Sequence, residues 1–153
     1  MTIDISKLAD PLAGISPAEA RGLLRLGIDL VHIPRIQESL DRHSGAFERK
    51  LFSEAEIAYA NAAPAHRAAR FAARFAAKEA LIKAAALTED GVSWRDMEVV
   101  REDSGYCRLQ LHGRALELAR QRGASRFLLS LSHDGEYAAA VVAALSDKDD
   151  LGG

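Results

Sequence analysis

Asp29 and Glu79 are carboxylates placed where structure alone has little use for them, and Lys83 follows Glu79 by one helical turn. Asp29 interrupts Leu26-Gly-Ile-Asp-Leu-Val-His-Ile33, an apolar run that reads as a strand covered on both faces. Aspartate is disfavoured in strands, and burying it uncompensated costs several kcal/mol or forces it to protonate. Gly27 lies on the same face and offers no side chain to block a ligand. A cap on a neighbouring helix, or a pair with an arginine, explains Asp29 equally well from the strand alone.

Glu79 and Lys83 belong to Arg67-Ala-Ala-Arg-Phe-Ala-Ala-Arg-Phe-Ala-Ala-Lys-Glu-Ala-Leu-Ile-Lys83, which nothing breaks from Ala65 to about Ala86. Pro64 is placed to start this helix. At roughly 100° per residue, Phe71, Phe75 and Ile82 form one apolar line, with Arg67, Arg70, Arg74 and Lys78 as a basic stripe beside it. Glu79 projects on the far side of that line, among Ala68, Ala72 and Ala86. A carboxylate in such a setting calls for a metal ion or a positively charged neighbour. Taken alone, the helix is better described as a surface Glu79 and Lys83 pair, worth a few tenths of a kcal/mol, beside a solvated arginine face.

The chain that must position these groups has 153 residues, 48% of them hydrophobic, enough for one domain with a real core. Its formal charge of −2 is accounted for by Asp147-Lys-Asp-Asp150, so no global field attracts nucleic acid or an anionic membrane. The single cysteine, Cys107, excludes an internal disulfide and fits a reducing compartment. No apolar run approaches a membrane span, and the N-terminus lacks a signal-peptide pattern, which implies a cytoplasmic protein.

Residues 1–25 read as an N-terminal extension, with a capping box at Ser16-Pro-Ala-Glu19 starting a short helix. Residues 26–145 form the domain, and 146–153 an acidic flexible tail. Pro34 ends the first strand and opens a helix with Ile36 and Leu40 inward and Arg35 and Arg42 outward on one face. Ser53-Glu-Ala-Glu56 is a second capping box, for a helix that stops near Pro64. After a loop turning at Gly91, Met97 to Arg101 and Tyr106 to Leu111 form a hairpin, and Gly113 to Arg122 a helix. Arg126 to Ser132 and Tyr137 to Leu145 form a second hairpin, which places Ser130, Ser132 and His133 at a strand end. The fold class is α+β, an antiparallel sheet packed against a long central helix.

Gly27-Ile-Asp-Leu-Val-His-Ile-Pro-Arg-Ile36, Arg74-Phe-Ala-Ala-Lys-Glu-Ala-Leu-Ile-Lys83 and Ser130-Leu-Ser-His133, with Ser93-Trp-Arg-Asp-Met-Glu-Val99 between, resemble the holo-acyl-carrier-protein synthases, the small 4′-phosphopantetheinyl transferases. The resemblance implies the fold of those enzymes and transfer of phosphopantetheine from coenzyme A to a serine of an apo acyl carrier protein. It implies Asp29 and Glu79 as ligands of Mg²⁺, Arg74 and Lys78 as holders of phosphate charge, and Ser132 and His133 against the coenzyme. Hard carboxylate oxygens suit that metal. Lys83 matches the lysine beside the reaction centre, and Glu79, acting through a metal-bound water, is an equal candidate for the base. Arg35 and Arg42 are candidates for docking the acidic carrier protein, and a homotrimer with sites at subunit boundaries is implied.

Two stretches depart from the family's wording. Ala84-Ala-Ala-Leu-Thr-Glu-Asp-Gly91 replaces a Gly-Thr-Gly turn, and Gly105-Tyr-Cys107 replaces a Gly-Lys-Pro. A non-catalytic coenzyme A or carrier-protein binder of the same fold is the rival reading, against which the intact Asp29, Glu79 and Lys83 set argues. A nucleic-acid module is disfavoured by near-neutral charge and the absence of aromatic residues interleaved for base stacking.

Overall fold

The computed structural model describes residues 22–43, 45–88 and 91–147. The capping box at Ser16, most of the N-terminal extension and the end of the acidic tail lie outside them. Strand β1 (Leu23–His32) leads into α1 (Ile33–Arg42), α2 (Ala46–Leu51) and α3 (Glu54–Asn61). A 3-10 turn at Pro64–His66 precedes the central helix α4 (Arg67–Ala85). The hairpin β2 (Met97–Arg101) and β3 (Cys107–Leu111), α5 (Gly113–Gln121), and the hairpin β4 (Arg126–Asp134) and β5 (Tyr137–Leu145) complete the chain.

The proline at 64 thus nucleates a 3-10 turn, and α4 starts three residues after it. Ser53 forms the expected capping box on α3, its hydroxyl accepting from the Glu56 N–H while Glu56 accepts from the Ser53 N–H. Ala86 ends α4 in the left-handed region at φ 55°, a place where glycine is ordinarily found.

β1, β5 and β4 form an antiparallel sheet in that order, and β2 and β3 a separate ladder. The inner face of the larger sheet lies on α4. Gly27 makes that approach: a Cβ there would stand 1.9 Å from the Ala80 carbonyl oxygen. The space Gly27 leaves is therefore filled by helix backbone, which corrects the reading of it as room for a ligand. Ala138, Ala140, Val142 and Ala144 bury the matching face of β5.

The outer sheet face carries Leu26, Ile28, Leu30 and Leu128, each at least 60% exposed. Within one chain β1 is therefore covered on a single face, where its apolar run implied two.

The basic stripe of α4 turns inward at its C-terminal half. Arg74 is 3% exposed and Lys78 is wholly buried. Lys78 Nζ donates to Leu51 O at 2.7 Å, Glu56 Oε2 at 2.8 Å and Trp94 O at 3.1 Å. Those acceptors match the three donors of an ammonium. Burial drives the Lys78 pKa down, and the Glu56 charge opposes it. Lys78 ties α4 to α3, and it has no donor left for phosphate. The expected phosphate role of Lys78 is corrected accordingly.

Next to this pair, Glu98 Oε2 lies 3.0 Å from His112 Nε2, and Glu98 Oε1 accepts from Ser53 Oγ at 2.9 Å. Burial pushes the Glu98 carboxyl up, but the bonds from His112 and Ser53 outweigh it and hold the carboxyl below its ordinary value. A depressed folded pKa contributes stability that is present above the unfolded value, about 4.3, and is lost as pH falls through the folded one. Glu98→Gln should therefore flatten the loss of stability between about pH 5 and pH 3. Urea midpoints measured across that range check it; equal slopes for the two proteins would contradict it.

Candidate active site

β1 and α4 bring the two anomalous carboxylates together. Asp29 points to the inner face of β1, and Glu79 sits on the part of α4 that passes it; both line one cavity of about 430 Å³. The Glu79 carboxyl is raised above the ordinary range, first by burial, then by the Asp29 charge, with Lys83 opposing both. Lys83 does not stay on its own helix as a partner for Glu79. Its Nζ donates to Ile28 O at 2.8 Å and to Asp29 Oδ1 at 3.0 Å, pinning the end of α4 to β1. The surface-pair account of Lys83 and Glu79 thus gives way to a bond that joins two elements.

At Asp29 and Glu79 themselves, two carboxylates meet one ammonium, that of Lys83, and this local excess of negative charge is the setting that favours a bound cation. Among the described residues no third His, Cys, Asp or Glu completes a metal-holding group. A hard cation on Asp29 and Glu79 would therefore keep coordination positions for ligand oxygens, as Mg²⁺ does when it binds through one or two carboxylates plus phosphates.

Phe75, Phe47 and Ile36 line the same cavity, together with Arg35 and Arg42 of α1. Both arginines are exposed, and Arg42 pairs with Glu38 on its own helix. Phe75 is held in place by stacking on Trp94, with ring centroids 5.2 Å apart and planes 10° apart. Sequence reasoning passed over this aromatic wall, because the partner of Phe75 is distant in the chain.

Ser132 and His133 line a different cavity, of about 300 Å³, with Tyr59, Arg70, Arg74 and Arg101. The guanidinium carbons of Arg70 and Arg74 stand 4.2 Å and 4.1 Å from the centre of the Tyr59 ring, and that of Arg101 stands 5.5 Å away. Arg74 Nε is buried without a hydrogen-bond partner. Burial pulls the Arg74 pKa down. Of the residues expected at the site, one chain therefore assembles Asp29, Glu79, Lys83, Arg35 and Arg42 in one place, and Arg74, Ser132 and His133 in another. Arg70, Arg101 and Tyr59 join the second group unforeseen; a cluster of arginines drawn from separate elements leaves no local pattern in sequence.

Residues 25–142 match the 4′-phosphopantetheinyl transferase superfamily. The chain belongs to that superfamily. The match runs from β1 almost to the end of β5 and so includes both cavities. Among relatives in this superfamily, the holo-[acyl-carrier-protein] synthase of Gloeobacter violaceus is 46% identical over 123 residues, 80% of this chain and 93% of the relative. That of Moorella thermoacetica is 46% identical over 120 residues, 78% and 91% of the two chains.

Solved transferase structures agree in fold. The coenzyme A complex of the synthase from Chronobacterium ammoniagenes superposes with a TM-score of 0.72 at 34% identity, covering 80% of this chain and 97% of the other. The Helicobacter pylori holo-[acyl-carrier-protein] synthase, also bound to coenzyme A, gives 0.68 at 26% identity, covering 78% and 98%. The antiparallel sheet and long central helix expected from sequence are thus the transferase fold. Among the described residues, no helix is long and apolar enough to cross a membrane.

Proposed function

We propose that this protein transfers 4′-phosphopantetheine from coenzyme A to a serine of an apo acyl carrier protein, releasing adenosine 3′,5′-bisphosphate. The observation that carries the reading is the Asp29 and Glu79 pair, two neighbouring carboxylates on the wall of one cavity, with burial and the Asp29 charge both raising the Glu79 carboxyl. The near-complete overlap with holo-[acyl-carrier-protein] synthases supports the same reading.

Asp29 and Glu79 would hold Mg²⁺, which when bound supplies charge neutralisation at the pyrophosphate. Lys83, already fixed by Ile28 O and Asp29, orients the Asp29 carboxylate and adds positive charge at the leaving side. Glu79, acting through a water, is the proton acceptor for the carrier serine. Arg74, with Ser132 and His133, receives phosphate of the coenzyme; its buried, unpartnered Nε is a donor awaiting an acceptor. Intact mass of a purified apo carrier protein after incubation with coenzyme A, Mg²⁺ and this protein tests the function. A phosphopantetheine-sized gain is expected, and an unchanged mass overturns the reading.

Arg35 and Arg42, exposed residues on the wall of the carboxylate cavity, dock the acidic carrier protein. Arg35→Glu is expected to raise the carrier KM by about tenfold or more at low salt, with the coenzyme KM nearly unchanged and the effect shrinking as salt rises. A raised coenzyme KM with an unchanged carrier KM would reverse the assignment.

The protein works as a homotrimer in the cytoplasm. Support comes from the exposed apolar face of the β1, β5 and β4 sheet, a surface that association removes from water. Further support comes from the division of the expected coenzyme residues between two cavities with no lining residue in common. A neighbour's Ser132 and His133 then complete the site that begins at Asp29 and Glu79. Mixing inactive Asp29→Ala and His133→Ala subunits should restore activity once labelled subunits are seen to exchange. Exchange without recovered activity would show that each site lies within one subunit.

A further inference from the structure

One reactive group of the arginine-lined cavity has no part in the proposed function. Cys107, the single cysteine of the sequence, stands half-buried on the wall of that cavity. It lies directly opposite Arg101 in the β2 and β3 ladder, which puts both side chains on one face. Arg70 and Arg74 line the same space, and among the described residues no carboxylate does. Arg74 is 3% exposed, and its Nε has no hydrogen-bond partner. Arg74 Nη1 donates to Arg70 O at 3.4 Å, so Nε is the unsatisfied donor of this side chain, and a buried donor without an acceptor is costly beside a cavity that an acceptor can enter.

We propose that Cys107 is a modification site, at which a small disulfide carrying phosphate or carboxylate groups exchanges onto the protein. The guanidinium groups concentrate the anionic disulfide at the cavity and hold its charged end while the thiol reacts. The Cys107 sulfur attacks one sulfur of the disulfide as thiolate, a new S–S bond forms, and the original S–S bond breaks. The departing thiolate takes up a proton equivalent to the one Cys107 gave up, and no other oxidant is consumed. The adduct occupies the space of Arg74, Ser132 and His133 and blocks transfer until a thiol reductant removes it. That block, though not the adduct itself, rests on the proposed function.

The test uses the full chain, reduced and freed of reductant, with glutathione disulfide, coenzyme A disulfide, neutral hydroxyethyl disulfide or cationic cystamine. Adduct formation is followed by intact mass, and each rate is divided by that of free cysteine with the same disulfide. The anionic disulfides should give one adduct per chain at least about tenfold faster than hydroxyethyl disulfide on this scale, with cystamine slower still. The advantage should shrink at high salt and in Arg101→Gln, and Cys107→Ser should give no adduct. A faster coenzyme A disulfide identifies phosphate as the preferred group; a faster glutathione disulfide identifies carboxylate.

Equal normalised rates across the charge classes, an advantage untouched by Arg101→Gln, or no adduct at all overturns the proposal. The adduct is read without carrier protein. A chain that takes it selectively yet never modifies a carrier overturns the proposed function and leaves this site standing. A chain that modifies the carrier without charge-selective adduct formation overturns this site alone.

Discussion

Asp29→Ala and Glu79→Ala should each lower phosphopantetheine transfer by at least about 100-fold, the upper range for losing a residue that merely supports a metal ligand. Asp29 and Glu79 share a cavity, and the Glu79 carboxyl is raised partly by the Asp29 charge. Each variant relieves that repulsion, so neither should unfold the protein. Asp29→Ala also frees Lys83 from one of its two acceptors, while Ile28 O remains. Both variants should therefore keep urea midpoints near that of the parent, and a chelator should abolish the activity of the parent itself. Either variant at full activity, or transfer indifferent to chelation, would sink the metal assignment. A variant that loses activity and stability together would instead make its carboxylate structural.

Glu56→Ala should be among the most destabilising single changes in this chain, by about 3–5 kcal/mol, the usual cost of removing one partner from a buried ion pair. Glu56 is 1% exposed. Its carboxylate accepts from Lys78 Nζ at 2.8 Å, from the Ser53 N–H at 2.8 Å and from the Val99 N–H at 3.0 Å. Removing it leaves a wholly buried ammonium facing two backbone carbonyls, and two backbone donors without their acceptor. Unfolding in urea measures the loss. The double variant Glu56→Gln with Lys78→Met, which removes both charges and keeps an amide acceptor, should recover a substantial part of it. A loss below about 1 kcal/mol for Glu56→Ala would mean that the pair contributes little and that water reaches Lys78.

Ser53 at the start of α3, the turn signals of both hairpins, and the unbroken helix from Arg67 onward could be assigned from sequence because capping, turn chemistry and helical periodicity act within a few residues. The oddity of Asp29 and Glu79 was legible for a related reason. A carboxylate within an apolar pattern violates the pattern itself, so each residue announced a need for positive charge before its partner was known. The motifs around them carried the family resemblance that the superfamily match bears out.

Which face of a helix is covered, and by what, is a different kind of fact. Periodicity set Arg74 and Lys78 on one stripe with Arg67 and Arg70, but could not say that α3 and β2 close over its second half. The partner that makes a buried Lys78 tolerable, Glu56, is held in a separate helix. Gly27 posed the same difficulty: an open position in the strand pattern was the contact point for the backbone at Ala80. Sequence alone determined the local elements and the residues that violate their surroundings, because those depend on short-range geometry. The tertiary structure decided which violations pair, Lys83 with Asp29 and Lys78 with Glu56, because burial and charge neutralisation depend on segments that meet only when the chain is packed.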